Sequence, residues 1–347
     1  MATETSPITD PPAPSPWTRV AGAVALLTVI ISLLLTAFAW PSVRSSVHNL
    51  PVAVAGPAAA VQQLTASLEQ RMPGAFDVTE VADTAAAEKL ILDREVYGAI
   101  DLTSGTPQVI TASAASATVA QTLQGVATAL TQANTQGTTS TVAVRDLVTP
   151  PADDPRGAGL SAAALPLVMG GMITAVMMTR MVRGTGRRVV GAAAFAVTGG
   201  LAMAAILQFW FGSIDGTYLV NAGAISLTIA ATSLTILGLE SVLGVAGFGI
   251  GAATMILIGN PLAGTATAPQ MLPGWAGDLG QLLPPGAGGQ LLRSTAFFDG
   301  HGSAHAITVL SCWLALGLAL NLIAGLRSRR TTPAAPATTV ANIPITA

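Results

Sequence analysis

Ionisable residues are scarce in this 347-residue chain, so the few that exist mark where chemistry could occur. Asp93, Glu95 and Asp101 put three carboxylates within nine residues, the raw material of a paired acid–base site. Their setting reads instead as a solvated helix end at Asp93-Arg94-Glu95 and a strand end at Asp101. His48, His301 and His305 are too scattered for a metal-ligand set, and the single cysteine, Cys312, cannot form an internal disulfide or a thiolate cluster. No Ser/His/Asp or Cys/His arrangement survives this count. The expectation is therefore not an enzyme, with no catalytic, cofactor-binding or metal residues. A phosphate-binding loop needs G-x-x-x-x-G-K-[ST], and the only lysine, Lys89, follows Ala87-Glu88. Any ATP must be handled by another subunit.

What remains are polar residues inside apolar stretches and arginines between them. Proton-driven transport leaves an ionisable group buried in mid-membrane, and the candidates are Glu240, Asn221 and Asn321, with Gln208 and Cys312 as lesser ones. Glu240 is expected at a helix–helix turn near the membrane face, where a carboxylate costs little. Asn321 is expected to hydrogen-bond a neighbouring helix and Cys312 to act as a small apolar filler. Arg180, Arg183, Arg187 and Arg188 form the largest basic cluster. His48 is expected at the surface.

These residues sit on elements set by composition. The chain is 51% hydrophobic and 9% charged with a mean hydropathy of +0.62, against about 25% charge in soluble domains. A net charge of -2 with 15 Lys and Arg leaves nothing to coat a nucleic acid, so no nucleic-acid partner is expected. A span needs about 20 apolar residues. Stretches 20–40, 159–179, 189–210 and 306–326 qualify, and 219–259 fits two helices with a turn at 238–241. The expected fold class is membrane α-helical: six transmembrane helices with a small extracytoplasmic α/β domain inserted between helices 1 and 2. With six spans, Arg19, the 180–188 cluster, and Arg327, Arg329 and Arg330 share one side, against Arg293 in the short loops opposite. Arginine stays cytoplasmic. The chain is thus expected in the cell membrane with both termini cytoplasmic and residues 41–158 extracytoplasmic. Ala37-Phe38-Ala39 leaves a cleaved signal peptide as an alternative for the first span.

Residues 41–158 carry eleven acidic and six basic side chains and form the water-facing part. Strands are expected at 50–55, 76–81, 97–102, 108–112 and 141–147, and helices at 58–72, 84–94 and 115–132, the second opening on Asp83-Thr84 with Glu88 beyond. Prolines 150, 151 and 155 form a stiff linker. Glycines 244, 247, 249 and 251 predict tight helix packing, within one chain or across a dimer. Residues 260–305, rich in Pro and Gly, predict short re-entrant or interfacial helices. Residues 1–19 and 327–347 are expected to be disordered cytoplasmic tails.

The layout of one helix, an external domain, then five helices with an apolar external loop before the last resembles the type-2 ATP-binding-cassette exporter permease fold. It is similar in particular to the phage infection protein (YhgE/Pip) branch and the related nitrosoguanidine-resistance membrane protein group. Its carriers are Leu50-Pro51-Val52-Ala53-Val54, Ala85-Ala86-Ala87-Glu88, Arg94-Glu95-Val96-Tyr97-Gly98-Ala99-Ile100, Leu283-Pro284-Pro285-Gly286-Ala287 and Leu292-Arg293. The resemblance implies a homodimeric permease in the lipid bilayer, with Arg180, Arg183, Arg187 and Arg188 as a coupling loop for a nucleotide-binding ATPase subunit. The same arginines would also serve as a topology anchor. Prolines at 7, 11, 12, 14 and 16 depart from the amphipathic helix such exporters carry before the first span.

Three functions follow as expectations. The first is an export permease-like subunit for a hydrophobic or amphipathic substrate. The second is a non-transporting scaffold or surface receptor whose external domain binds a ligand or protein. The third is proton-coupled efflux, which requires a buried Glu240.

Overall fold

The computed structural model describes residues 15–134 and 142–331. The expected tails at 1–14 and 332–347, and the start of the fifth strand at Thr141, lie outside the described residues. Among the described residues five helices are long and apolar enough to cross a membrane: α1 (Trp17–Val43), α5 (Ala158–Met181), α6 (Thr185–Ala205, continued as a π-helical turn over Ile206–Trp210), α7 (Tyr218–Leu243) and α11 (Ala304–Thr331). A shorter apolar helix, α8 (Val245–Ala253), continues as a π-helix over Thr254–Gly259. Trp17 to Arg19 and Arg327 to Thr331 are helical, which corrects their assignment to tails. Pro16 caps α1, so proline ends the helix there without forbidding one immediately after it.

Between α1 and α5 lies a five-stranded sheet in the order β2-β1-β3-β4-β5, parallel except for the β3–β4 pair. The strands are β1 (Leu50–Ala55), β2 (Phe76–Val81), β3 (Gly98–Asp101), β4 (Gln108–Thr111) and β5 (Ala143–Asp146). β1 is apolar throughout because it is buried on both faces. One face carries α2 (Ala58–Arg71) and α4 (Ala117–Asn134), packing Val61, Leu64, Leu123 and Val126 on Val52 and Val54. The other carries α3 (Thr84–Leu92), packing Ala87 and Ile91 on Ala53 and Ala99. Asp83 caps α3 by accepting from the Ala86 N–H at 2.8 Å. Glu88 does not close that cap; it pairs with Arg145 of β5.

In the helical part α7 is the hub, with 72% of its apolar window buried against 0% for α1. It packs on α5, α6, α8 and α11 through small residues. A Cβ on Gly317 would lie 2.6 Å from the backbone of Leu234 and Thr235, and one on Gly200 would lie 2.8 Å from the Ala222 carbonyl. The glycines of α8 serve the same purpose within the chain, since a Cβ on Gly247 would lie 2.0 Å from the Leu239 carbonyl. The turn falls at Gly244 rather than at 238–241. Gly244 has φ +64° and ψ −143°, which only glycine adopts readily, whereas Gly238 stays inside α7 beside α11, where a Cβ on it would lie 2.8 Å from the Gly317 carbonyl oxygen.

The 260–305 region is largely helical. It holds a 3₁₀ turn (Pro269–Met271), α9 (Ala276–Gln281) and α10 (Pro284–Phe297). Leu283 is extended and Pro284-Pro285 occupy the first turn of α10, where a missing N–H costs nothing. α10 is largely buried: Gly288 meets Thr228 of α7, Pro285 meets Gly259, and the Trp313 indole donates to the Leu282 carbonyl at 2.8 Å. α7 and α11 run parallel, with Leu310 beside Ala231, Trp313 beside Thr235 and Gly317 beside Gly238. The intervening chain therefore returns to the sheet-side end before α11 begins, and α8 is the helix that takes it there.

Candidate functional site

The expected site residues separate into an end cluster and two packing contacts. At the end of the bundle where α5 meets α6, the Arg188 guanidinium donates to the carbonyls of Val182 and Thr179 at 2.7 and 3.1 Å and so caps α5. Arg180, Arg183 and Arg187 are exposed. Glu240 lies in the last turn of α7, not in a turn between helices as expected. It is half-buried and accepts a hydrogen bond from the Thr179 hydroxyl. Asn321 donates to the Leu234 and Gly317 carbonyls at 3.0 and 2.8 Å, clamping α11 to α7 as expected. Asn221 sits at the start of α7 and ties down the preceding loop, donating to the Asp215 carbonyl at 2.7 Å. Cys312 is exposed, which corrects its reading as a packed filler. His48 is hydrogen-bonded to the Ser46 hydroxyl at 2.9 Å.

The three carboxylates do not converge. Asp93 pairs with Lys89 at 2.8 Å and with His301 at 3.0 Å, and the Lys89 hydrogen bond holds its pKa below the ordinary value. Asp101 is buried, which opposes ionisation, but hydrogen bonds from Thr84 and from the Thr103 N–H and hydroxyl outweigh that and hold it low. Glu95 is exposed.

Arg94 is the residue the sequence hid. It is not part of a solvated helix end: it donates to the Gln290 carbonyl at 3.1 Å, the Gln290 side-chain oxygen at 2.6 Å and the Ser294 hydroxyl at 2.5 Å, and stacks over Phe298 at 5.2 Å. Three residues on, Tyr97 donates to Gln270 at 2.9 Å. Arg94 and Tyr97 thereby fasten the α/β unit to α10 and the 3₁₀ turn. Burial pushes the Arg94 pKa down and the Tyr97 pKa up. In the sequence Arg94 stood out only as the first residue of the Arg94–Ile100 run that leads into a buried strand.

A candidate ligand site lies inside the α/β unit. A groove of about 760 Å³ runs between α2 and α4, walled by Leu64, Leu68, Met72, Val126 and Leu130 and floored by Leu102. It exists because the facing positions are small: Ala60 and Ser67 on α2, Gly125 and Ala129 on α4. Gln63 and Arg71 supply polarity at the wall. Its volume falls within the roughly 300–1,000 Å³ of small-molecule sites, and its lining of apolar side chains with few polar groups is the usual one. Such a lining suits an apolar chain or ring system, and among the described lining residues no nucleophile is paired with a base.

Comparison with protein-family models, curated proteins and solved structures finds no match to this chain.

Proposed function

We propose that this chain is a permease-like subunit of an export system for hydrophobic or amphipathic compounds, driven by ATP hydrolysed on a separate subunit. The observation that carries the reading is the apolar groove between α2 and α4, in a domain fastened by Arg94 to a helix buried among the long apolar ones. In this reading the chain lies in the cell membrane with six spans, both termini cytoplasmic and residues 41–158 outside. α8 with its π turn is 15 residues, about 22 Å at about 1.5 Å per residue. It would cross by locally thinning the bilayer. The parallel run of α7 and α11 and the gathering of Arg180, Arg183, Arg187 and Arg188 at the end of α5 support this topology.

Arg188 is committed to capping α5, so the surface offered to an ATPase narrows to Arg180, Arg183 and Arg187. The exposed apolar length of α1 is available to lipid or to a second copy in a homodimer. Proton-coupled efflux gains least, because Glu240 lies at a helix end beside Thr179. The receptor reading keeps one specific support: every residue lining the groove falls between 60 and 130, wholly within the α/β unit.

Cellular accumulation of a lipophilic fluorescent dye tests the proposal. Cells making the protein should retain less dye than cells making a variant with Arg180, Arg183 and Arg187 all changed to Gln. In-cell cross-linking should recover a nucleotide-binding ATPase with the first protein and not with the second. Equal dye retention, with ligand still bound in the groove, would refute export and leave the receptor reading.

A further inference from the structure

A second, smaller cavity lies where the α/β unit meets the helices. It measures about 30 Å³ and is bounded by the start of α4 (Ser116 and Ala117), the entry to α5 (Arg156 and Gly157), Thr267 and Arg293 of α10. A water molecule needs about 10–15 Å³ on this measure, so the space takes one monatomic ion with a water.

Its electrostatics are one-sided. Arg293 is 5% exposed, and of the five N–H donors of a guanidinium one has an acceptor, the Thr265 carbonyl at 2.7 Å. Its Nε has no partner among the described residues and is sealed by packing rather than open to the cavity. An unpaired buried donor costs about 1–3 kcal/mol, and more when charged. Arg156 lines the same cavity from the exposed side. The 18-residue helix α4 presents its N-terminus there, with first-turn N–H groups that a helix leaves unpaired. The buried Ser116 hydroxyl accepts from the Val119 N–H at 3.3 Å, so its own proton remains available.

No carboxylate lines the cavity. Of the carboxylates nearest its walls in sequence, Asp154 caps the Ala158 and Gly159 amides and Asp146 accepts from the N–H and hydroxyl of Ser113, while Asp153 and Asp299 are exposed. Burial first, and then the charge of Arg94, holds the Arg293 pKa down to about 10 from 12.5.

We propose that this cavity binds a small monovalent inorganic anion of chloride size, held by Arg293, Arg156, the Ser116 hydroxyl and the first turn of α4. The anion supplies the missing counter-charge and joins four segments: α4, the entry to α5, the 265–267 loop and α10. Anion occupancy then strengthens the docking of the α/β unit on the helices. This inference is independent of the transport reading.

The full chain in detergent tests it in two ways. Crystals grown in sodium bromide should show an anomalous peak in this cavity. The thermal midpoint should rise with sodium chloride relative to sodium gluconate at equal ionic strength. Arg293→Gln should abolish the chloride-specific rise, and Arg156→Gln, at an exposed position where folding is not at stake, should weaken the apparent chloride affinity at least fivefold. A cavity without bromide overturns the proposal. So does an equal response to chloride and gluconate, or an unchanged chloride affinity in Arg156→Gln. Stabilisation by sulfate with none by chloride would overturn the assigned size.

Discussion

Gly125 lines the α2–α4 groove, and a Cβ built on it meets nothing within 4 Å. Two substitutions at this one residue therefore separate folding from binding. Gly125→Ala should stabilise the protein by up to about 1 kcal/mol, the helix-interior cost of glycine relative to alanine, and should leave the groove open. Gly125→Phe projects a ring into the space a ligand would fill. If the ring displaces about four methylenes of an acyl chain, the loss is about 3 kcal/mol at about 0.8 kcal/mol per buried CH₂. That corresponds to roughly a hundredfold in Kd. The assay is displacement of a fluorescent fatty acid from the purified full chain, with the thermal midpoint measured alongside. A Gly125→Phe protein that melts no earlier than wild type yet binds the probe within threefold of wild type would refute the groove as the site.

Arg94→Met keeps the apolar stem and removes the donors to Gln290 and Ser294. Charge-assisted hydrogen bonds contribute about 1.5–3 kcal/mol each and are not additive, so a loss of about 3 kcal/mol is expected, read as faster hydrogen exchange in α10 with the sheet still protected. Gly317→Ala drives a Cβ to 2.6 Å from α7 backbone and should cost about 1–3 kcal/mol; Gly325→Ala, with open space at its Cβ, should leave the thermal midpoint at or above that of wild type. Asp101 is ionised more readily in the folded chain than at its ordinary value of 3.8. Its contribution is complete above that pH and disappears as pH falls through the lower folded value. Asp101→Asn should flatten the acid limb of a stability–pH curve below about pH 4.

The elements were legible where local pattern and burial agree. β1 and β2 fall at the expected residues because a central parallel strand is a continuous apolar run, and Pro73-Gly74 separates the helix from the next strand. The long apolar helices are set by composition alone. The Gly244 break was misplaced because Gly238, Ser241 and Gly244 look alike in sequence, and only the approach of α11 decides which glycine stays helical. The Pro/Gly-rich region announced short helices without saying that α10 would be buried against α7.

The sites divide in the same way. The absence of a phosphate-binding loop follows from one lysine in the wrong place, a fact of sequence that no folding alters. Arg94 and Arg293 lie 199 positions apart and carry no shared motif, yet folding brings their charges within interaction range of each other. A groove is the space between two helices, and a buried cation is defined by what fails to surround it. Both depend on distances between segments remote along the chain, which the order of residues does not contain and tertiary packing alone supplies.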